Sequence, residues 1–410
     1  MNRFKITTFP LQNKTILLRA DLDVPIENNK ITDSSRIIAA LPTINYLLNQ
    51  NCKIILIGHL GRPEGKIVPA LSTKVIYNEL KLLLPEIKMF FLSDCLGKEI
   101  KEKIDRGKPG EIFILENLRF YKEEQENDPA FAHSLANLAE VYINDAFANS
   151  HRQHASIDKI TDYLPSLAGI NLETEIKQLS LALHPQRPAV WIIGGAKLDK
   201  LALFKRIVNN ADYVLIGGAL AFSFLKAKGL PTGMSKTNAE SAALAKELLD
   251  QRHADRIILP VDFRVVEKMS SRAPAKLVPF NNLQSKQIGL DIGDETIALF
   301  KEYLKKAKTI VWNGPLGYFE WSKFAKSTKE LARFIGKLNV TSICGGGDTT
   351  SALQKFHLDH LMSHVSTGGG AAMAFLEGQK LVGITALERN YKIFKDKTDY
   401  KDTISPLRNN

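Results

Sequence analysis

Cationic side chains follow the predicted strands in the first half of the chain. They are Arg19, His59, Arg62, Arg119, His151 and Arg152, and Arg36 opens the first predicted helix. Because ligands bind beyond the carboxyl ends of parallel strands, we expect these groups to converge on one site. Arginine presents a planar fork of donors that matches carboxylate and phosphate oxygens. The pattern predicts a small substrate that carries both kinds of anion. The alternative to substrate binding, for any one of these arginines, is an ion pair with an acidic residue on the protein surface.

Two further features of this half would orient side chains and substrate in the predicted site. His59 and Arg62 lie in segment 59–63, of sequence HLGRP, where glycine and proline would fix a turn that aims both side chains. Asp21 and Asp23 stand two residues apart and have two interpretations: a carboxylate pair for acid/base work, or acceptors that orient substrate hydroxyls and arginines. Beside so many arginines, we favour the orienting role.

The second half of the chain carries glycine clusters at its predicted strand ends. They begin at Gly194, Gly217, Gly345 and Gly368. Glycine lets backbone N–H groups approach phosphate oxygens at a helix N-terminus, so a nucleotide phosphate chain would fit. No P-loop sequence is present. Segment 345–350, of sequence GGGDTT, combines a backbone cradle with a carboxylate, Asp348, that could hold phosphate-bound Mg²⁺. The competing interpretation is that Asp348 caps a helix.

Lysines and a loop extend this predicted nucleotide site. Lys197 and Lys200 follow Gly194 and Gly195 at the apparent start of a helix and share one helix face. The helix dipole opposes lysine there unless an anion binds nearby, so contact with phosphate is favoured over a solvated role. Segment 312–320, of sequence WNGPLGYFE, ends on Glu320, which is suited to accept ribose hydroxyls.

Short β-branched runs alternate with helical segments throughout the chain, and this pattern predicts two doubly wound, Rossmann-like α/β domains with parallel sheets. We expect a first domain over residues 1–170, a connector helix and hinge over 171–186, and a second domain over 187–387. The polar tail 388–410 is predicted to be either disordered or docked on a domain, the first being the candidate.

Composition narrows the class of protein. The chain has 410 residues, 44% of them hydrophobic, which exceeds the usual size of a single core. No apolar run has the length of a signal peptide or a membrane span, and three unpaired cysteines suit a reducing cytosol, so we predict a cytoplasmic protein. The formal net charge is +11, but the basic residues are dispersed. Nucleic acid is therefore not expected as the primary ligand.

These motifs, in this order, resemble the phosphoglycerate kinase family from about residue 14 to residue 387. The segments that carry the resemblance are RADLDVP at 19–25, Arg36 with LPTI at 41–44, HLGRP at 59–63, LENLRF at 115–120, NDAF at 144–147, HR at 151–152, GGAKLDK at 194–200, GLDIG at 289–293, WNGPLGYFE at 312–320, GGGDT at 345–349 and STGGG at 366–370. Single pieces are weak evidence, but their joint order is highly specific.

The resemblance implies reversible phosphoryl transfer from 1,3-bisphosphoglycerate to Mg-ADP, in a monomer that closes around a hinge. It implies a phosphoglycerate site formed by Asp21, Asp23, Arg36, His59, Arg62, Arg119 and Arg152. It implies nucleotide contacts from Lys197, Lys200, Gly289, Leu290, Glu320, Gly346, Gly347, Asp348 and Thr349. Arg36, both lysines, Gly368 and Gly369 would act on the transferring phosphoryl group, and Asp348 would serve the Mg²⁺.

The sequence also departs from the family pattern. Asp23 stands where the family usually has Asn, which places an extra negative charge beside an anionic substrate. The lysine segment is one residue shorter, so Lys197 and Lys200 are three apart rather than four. Ala148, Asn149 and Ser150 replace the usual Gly-Thr-Ala, Ser327 replaces a Gly, and Val382 replaces a Pro.

Three functional classes follow from these observations. We favour an active phosphoglycerate kinase. A non-catalytic relative, motivated by Asp23 and the shortened lysine segment, would bind nucleotide without turnover. A dinucleotide-dependent dehydrogenase has only the doubly wound architecture in its favour.

Overall fold

The computed structural model describes residues 4–196 and 201–394. They form two compact units, one made of residues 4–176 with 379–394 and the other of the described part of 177–378. The division at Ile176 falls inside the predicted connector region. The chain returns to the first unit after Gly378, which comes before the predicted end of the second domain at residue 387. Residues 379–387 therefore belong to the first unit.

The first unit is built on a six-stranded parallel sheet in the order β5-β6-β4-β1-β7-β8, with β2 and β3 paired as a short antiparallel hairpin. The strands are β1 (Thr15–Arg19), β2 (Ile26–Glu27), β3 (Lys30–Ile31), β4 (Lys53–Ile57), β5 (Met89–Phe91), β6 (Ile112–Ile114), β7 (Val141–Asn144) and β8 (Ser166–Ala168). The helices are α1 (Ser35–Asn49), α2 (Lys74–Leu83), α3 (Lys98–Asp105), α4 (Lys122–Gln125) and α5 (Pro129–Ala136). Helix α6 (Ile170–Leu183) begins in this unit and continues past the boundary at Ile176.

The centre of this sheet explains the apolar runs in the sequence. Leu17 of β1 lies opposite Ile55 of β4 on one side and Tyr142 of β7 on the other, and all three are fully buried. Parallel strands covered by helices on both faces need apolar residues at nearly every position. Their carboxyl ends therefore meet at one edge, where Arg19 and Asn144 end their strands in register.

The second unit contains another six-stranded parallel sheet, in the order β11-β10-β9-β15-β16-β17, and a separate antiparallel sheet in the order β13-β12-β14. The strands are β9 (Ala189–Ile193), β10 (Tyr213–Ile216), β11 (Ile257–Ile258), β12 (Asp262–Val266), β13 (Lys276–Pro279), β14 (Ile288–Ile292), β15 (Thr309–Asn313), β16 (Thr341–Gly345) and β17 (His364–Val365). The helices are α7 (Leu201–Asn210), α8 (Leu220–Ala227), α9 (Ala239–Leu249), α10 (Asp294–Leu304), α11 (Lys326–Ile335), α12 (Gly347–Lys355) and α13 (Gly370–Leu376). Two parallel-sheet α/β units confirm the predicted fold class. The antiparallel sheet was not predicted.

The last described helix, α14 (Val382–Phe394), packs on the first unit. Asn390 is fully buried there, and its Nδ2 donates to the carbonyl oxygens of Thr161 (2.5 Å) and Leu164 (2.7 Å). Its Oδ1 accepts from the Ser166 N–H at 2.9 Å. Residues 388–394 of the predicted tail are thus the final turns of a docked helix, and residues 395–410 lie outside the described part.

Two general features of the described chain bear on its class. Across residues 4–196 and 201–394, none of the helices combines the length and apolar character that crossing a membrane requires. Cys52, Cys95 and Cys344 are free, buried thiols.

Candidate active site

A buried arginine sets the chemistry of His59 in the first unit. Arg19 is fully buried at the end of β1, and its Nη2 lies 2.9 Å from His59 Nδ1. A guanidinium can only donate, so Nδ1 is the acceptor and the proton of the neutral ring sits on Nε2. Burial lowers the pKa of His59 to about 3, assisted by the charges of Arg19 and Arg119. His59 is therefore a neutral donor through Nε2.

The Nε2 of His59 faces Asp23. It lies 3.6 Å from Asp23 Oδ2, while Asp23 Oδ1 accepts from the Gly61 N–H at 2.8 Å. Arg36 Nη1 donates to the Asp23 carbonyl oxygen at 2.6 Å and lies 3.8 Å from the carboxylate. Burial alone would raise the pKa of Asp23, but the contacts with His59, Gly61 and Arg36 hold that pKa well below its ordinary value. Asp23 is therefore an anion that orients His59 and Arg36.

The other carboxylate, Asp21, is directed at a loop. Its Oδ2 accepts from the Ala148 N–H at 2.8 Å, and its Oδ1 accepts from Asn149 Nδ2. Burial raises the pKa of Asp21, opposed by the charges of Arg36 and Arg19. Asn149 occupies a position where the family usually has Thr, and here its amide ties the loop before Arg152 to the end of β1.

Arg119 provides an open fork of donors. Its Nη1 donates to the Gly61 carbonyl oxygen at 2.8 Å, whereas its buried Nε and Nη2 have no hydrogen-bond partner among the described residues. Burial lowers the pKa of Arg119 to about 10, and repulsion from Arg152 and Arg19 contributes. Buried guanidinium nitrogens are normally hydrogen-bonded, so Nε and Nη2 of Arg119 are suited to bind an anion.

Two further arginines stand at the same edge of the sheet. Burial lowers the pKa of Arg152, and repulsion from Arg62, Arg19 and Arg36 adds to the effect. Arg62 is exposed, and in the described part of the chain it makes no ion pair. Mutual repulsion of this kind requires proximity, so Arg152 lies near Arg62, Arg19 and Arg36 at this edge of the sheet.

Sequence analysis did not identify a set of buried polar groups that lies behind Arg19. Arg19 Nε donates to Ser156 Oγ at 3.0 Å, and Ser156 Oγ in turn donates to Glu124 Oε1 at 2.6 Å. Glu124 is fully buried, and His154 Nδ1 lies 3.7 Å from its Oε1. Burial raises the pKa of Glu124 and lowers that of His154 to about 3. Long sequence separation hides this network, since Arg19 and Ser156 are 137 residues apart.

The second unit contains an apolar cavity of about 420 Å³ at one end of the parallel sheet. Gly289 and Leu290 line it together with Phe222 and Phe263, whose rings lie 4.5 Å apart. A Cβ on Gly289 would come within 2.1 Å of Phe222, so only glycine lets this ring form the wall. The size and lining suit a flat, apolar group such as a nucleotide base.

A second cavity, of about 410 Å³, is lined largely by glycine. It includes Gly346, Gly347, Asp348 and Thr349, and it shares Gly195, Ala196 and Asp348 with the apolar cavity. Gly314, with φ +91°, packs so closely on Gly194 that a Cβ would lie 2.4 Å from the Gly194 carbonyl carbon. These glycines bring backbone together around a space suited to phosphates.

The predicted polar residues take different positions around the two cavities. Glu320 is exposed and lines the apolar cavity, and Asp348 is exposed in the first turn of α12. Thr349 is buried, and its Oγ1 accepts from the Gly314 N–H at 2.6 Å. The Thr349 hydroxyl therefore holds the loop after β15, and Thr349 also lines the glycine-lined cavity.

Two predicted glycines stand apart from these two cavities, and two predicted lysines cannot be compared with them. Gly368 and Gly369 line neither of them, and the Gly368 N–H donates to Ser366 Oγ at 3.1 Å. Gly369 has φ +50° and precedes α13. Lys197 and Lys200 lie outside the described residues.

An α/β unit that gathers cations at its strand ends, and a second α/β unit with a glycine-lined cavity, define a protein of the kinase class. Comparison with known proteins specifies the family. The phosphoglycerate kinase family model matches residues 6–379. The phosphoglycerate kinase of Moorella thermoacetica is 42% identical over 391 residues, which are 94% of this chain and 99% of the relative. The chain belongs to the phosphoglycerate kinase family.

Phosphoglycerate kinases from other organisms are also similar to this chain. Phosphoglycerate kinase 1, chloroplastic, of Arabidopsis thaliana is 42% identical over 93% of this chain and 81% of the relative. The solved phosphoglycerate kinase of Coxiella burnetii has a TM-score of 0.84 at 36% identity, with 94% of this chain and 99% of that chain covered. The structure from Pyrococcus horikoshii OT3 has a TM-score of 0.82 at 33% identity, with 95% and 100% covered. A non-catalytic relative is not favoured by these matches.

Proposed function

We propose that this chain catalyses reversible transfer of a phosphoryl group from the acyl phosphate of 1,3-bisphosphoglycerate to Mg-ADP, giving 3-phosphoglycerate and ATP. The acceptor in the reverse direction is a carboxyl group. The observation that carries the proposal is the open, buried guanidinium fork of Arg119 within the strand-end cation cluster, in a chain that matches the kinase family over residues 6–379.

In the first unit, the substrate carboxylate and phosphate are proposed to bind among Arg36, Arg62, Arg119 and Arg152. Arginine forks match both groups, and partial burial strengthens each charge-assisted hydrogen bond. His59 donates from neutral Nε2, so it recognises an oxygen without adding to the repulsion within the cluster. Asp21 and Asp23 are proposed to act as orienting acceptors in the same phosphoglycerate site.

In the second unit, the nucleotide base is proposed to occupy the apolar cavity beside Gly289 and Leu290. Glu320 accepts from ribose hydroxyls at the rim. Backbone N–H groups of Gly346, Gly347 and Thr349 serve the phosphates. Lys197 and Lys200, together with Gly368 and Gly369, are proposed to contact the phosphate chain or the transferring group.

Magnesium is proposed to enter with the nucleotide as Mg-ADP or Mg-ATP. The exposed carboxylate of Asp348 lines the glycine cavity and is the oxygen donor that Mg²⁺ prefers, so the residues present fit the ion. When bound, Mg²⁺ neutralises charge on the phosphate oxygens. The chain itself positions the reactants and offers cationic donors, among them Arg36, to the charge on the transferring group.

We further propose that the protein is a cytoplasmic enzyme of glycolysis and gluconeogenesis, acts as a monomer, and bends at a hinge near residues 171–186 during turnover. Its partners are then the two small substrates, with neither a membrane nor nucleic acid as primary ligand.

A coupled assay tests this function. Purified protein is supplied with 3-phosphoglycerate, ATP and Mg²⁺, and acyl-phosphate formation is followed through glyceraldehyde-phosphate dehydrogenase as loss of NADH. Turnover that requires all three components is the expected result. Absence of turnover from protein that binds ADP in calorimetry would instead identify a non-catalytic relative.

Replacement of Arg36 tests the mechanism. We expect Arg36→Ala to lower kcat by about a thousandfold or more, because a cationic donor to the transferring group is lost. ADP affinity measured by calorimetry should not change, since Arg36 belongs to the first unit. Arg106→Ala, an exposed arginine at the end of α3, is the matched control and should retain full turnover. Unchanged activity in Arg36→Ala would remove Arg36 from the mechanism.

A further inference from the structure

Strand β5 lies at the edge of the first sheet and has a single neighbour, β6. The Ile112 N–H donates to the Lys88 carbonyl oxygen at 3.1 Å, and the Leu92 N–H donates to the Ile114 carbonyl oxygen at 2.9 Å. In a parallel pair, alternate residues direct both backbone groups toward the same neighbour.

Lys88, Phe90 and Leu92 therefore face β6, and the backbone groups of Met89 and Phe91 face outward. Within the described residues no other strand pairs with this edge. The outward side of β5 thus presents two residues whose N–H and C=O groups are oriented to accept an additional strand.

A groove of about 660 Å³ runs along this edge. Its floor includes all of residues 88–92, and its sides are formed by α2 and by the segment that joins α3 to β6. Phe90 stacks on Phe113 with ring centroids 5.0 Å apart and planes at 15°, and Tyr77 lies 6.2 Å from Phe91. The groove therefore offers apolar contact on both sides of the exposed strand edge.

The groove is strongly cationic. Its lining includes Lys74, Lys88, Lys103, Arg106 and Lys108, against the single acid Glu111. Lys88 pairs with Glu111 at 2.8 Å, and Lys103 and Arg106 pair with acids of their own helix at 2.6 and 3.6 Å.

Lys74 and Lys108 differ from the other cations. Both are exposed, and across residues 4–196 and 201–394 neither ammonium group forms an ion pair. Lys74 starts α2 on one side of the groove, and Lys108 lies just before β6 on the other. Free positive charge therefore borders the strand edge from both sides.

We propose that this groove binds an extended acidic segment of a partner protein, which adds to β5 as a further strand. Main-chain hydrogen bonds to Met89 and Phe91 would supply the register, and aromatic side chains along the groove would contact alternate residues of the segment. Acidic residues of the segment would pair with Lys74 and Lys108. This surface is separate from the residues assigned above to phosphoryl transfer.

Binding is tested on the full-length protein with a capped synthetic peptide that alternates glutamate and valine. The expected result is saturable binding in calorimetry, with the Met89 and Phe91 amides shifted in NMR spectra and protected from hydrogen exchange. A peptide with lysine in place of glutamate tests the charge requirement. A peptide N-methylated on the amides of one edge tests the requirement for strand addition, and neither should bind.

Variants of the protein test the same assignment. We expect the double variant Lys74→Glu with Lys108→Glu to raise the Kd for the acidic peptide by about tenfold or more, because attraction becomes repulsion at two sites. The control is Lys98→Glu, an exposed lysine of α3 outside the groove, which should leave the Kd within about twofold. Phosphoglycerate kinase turnover should be equal in all three proteins and reports that they are folded.

Several results would overturn the proposal. Equal binding of the N-methylated peptide would show a charged patch without strand addition. Absence of peptide binding, with normal kinase turnover, would show that the lysines prevent another strand from pairing with the edge of β5. Binding of an aromatic sulfonate dye in the groove, with no binding of the peptide, would reassign the groove to small aromatic anions.

Discussion

The negative charge of Asp23 affects how tightly an anionic substrate binds. Asp23 lies between Arg36 and His59, and 37% of its side chain is exposed. An Asn at this position would still accept the Gly61 N–H through its Oδ1. The Gly61 hydrogen bond therefore does not require the charge of the carboxylate, although the second carboxylate oxygen faces His59 Nε2. That charge opposes an anionic ligand in the same cluster.

Removal of that charge gives a specific prediction. We expect Asp23→Asn to lower the KM for 3-phosphoglycerate by about three- to tenfold, because one repulsive charge near the ligand is worth about 1 kcal/mol at a partly exposed site. The KM for ATP should stay unchanged. Steady-state kinetics at low ionic strength provides the measurement.

The control for this experiment is Glu86→Gln, which neutralises an exposed acid outside the cluster. It should change neither KM, so an equal effect in both variants would point to net charge alone. A rise in the KM for 3-phosphoglycerate in Asp23→Asn would contradict the repulsion argument and show that the ion pair with Arg36 dominates.

At this scale, sequence analysis identifies candidate residues that follow a strand and misses those that support them. His59 and Arg119 were predicted because their types and strand-end positions indicate anion binding, and Arg36 because it opens the first helix beside them. Glu124 and Ser156 were missed because an acid and a hydroxyl are ordinary surface residues in a sequence. Only the fold shows that both are buried behind Arg19.

Among the elements, the junction of β14 and α11 depends on one buried acid. Asp291 accepts from the Ser327 N–H at 3.2 Å and from the Ser327 hydroxyl. Burial raises the pKa of Asp291 to about 7 from an ordinary value of 3.8. The folded protein therefore binds a proton more tightly here than the unfolded chain does.

The sign of the pH dependence follows. The contribution of Asp291 to the free energy of unfolding is fully present below about pH 4 and is lost as pH rises to about 7. Asp291→Asn, which resembles the protonated acid, should reduce this loss by about 2–4 kcal/mol. Urea unfolding between pH 4 and pH 8 measures it. Asp255→Asn, an exposed control, should follow the unmodified chain, and an identical slope in Asp291→Asn would contradict the argument.

Asn390 is the fully buried polar anchor of α14, and Arg389 adds ion pairs with Asp158 and Asp162 at 2.9 and 3.0 Å. Asn390→Ala would leave the Ser166 N–H and the carbonyl oxygens of Thr161 and Leu164 buried without partners. We expect a loss of about 3 kcal/mol in the free energy of unfolding, measured in urea. The exposed control Lys392→Ala should stay within about 0.5 kcal/mol. A similar small change in Asn390→Ala would show that water replaces the amide.

Element prediction succeeded where periodicity is strong. The apolar runs at residues 53–57, 141–144, 189–193 and 213–216 predict strands, and β4, β7, β9 and β10 have these bounds. Continuous apolar runs between turn residues are typical of buried parallel strands. Strands β12, β13 and β14 were missed. Residues 276–279 of β13 are mostly exposed, so they carry no apolar pattern, and their pairing with β12 is a tertiary property.

For the whole molecule, chain order and spatial order differ. Residues 379–394 return to the first unit after the chain has built the second, whereas the second unit is formed by one continuous stretch, 177–378. Tyr391 and Phe394 have weak helical spacing in the sequence, but this spacing does not show where the helix docks. Completion of the first unit therefore depends on a segment that follows the whole second unit in the sequence.

This order predicts an asymmetry between fragments. A fragment of residues 1–176 lacks the helix that covers Ser166 and Leu164, so a peptide of residues 379–410 supplied in trans should bind and stabilise it. At a peptide concentration about a hundredfold above Kd, we expect a gain of about 2.7 kcal/mol in the free energy of unfolding, followed by circular dichroism in urea. The fragment 177–378 contains its whole unit and should show no gain. Equal stabilisation of both fragments, or of neither, would mean that α14 does not complete the first unit.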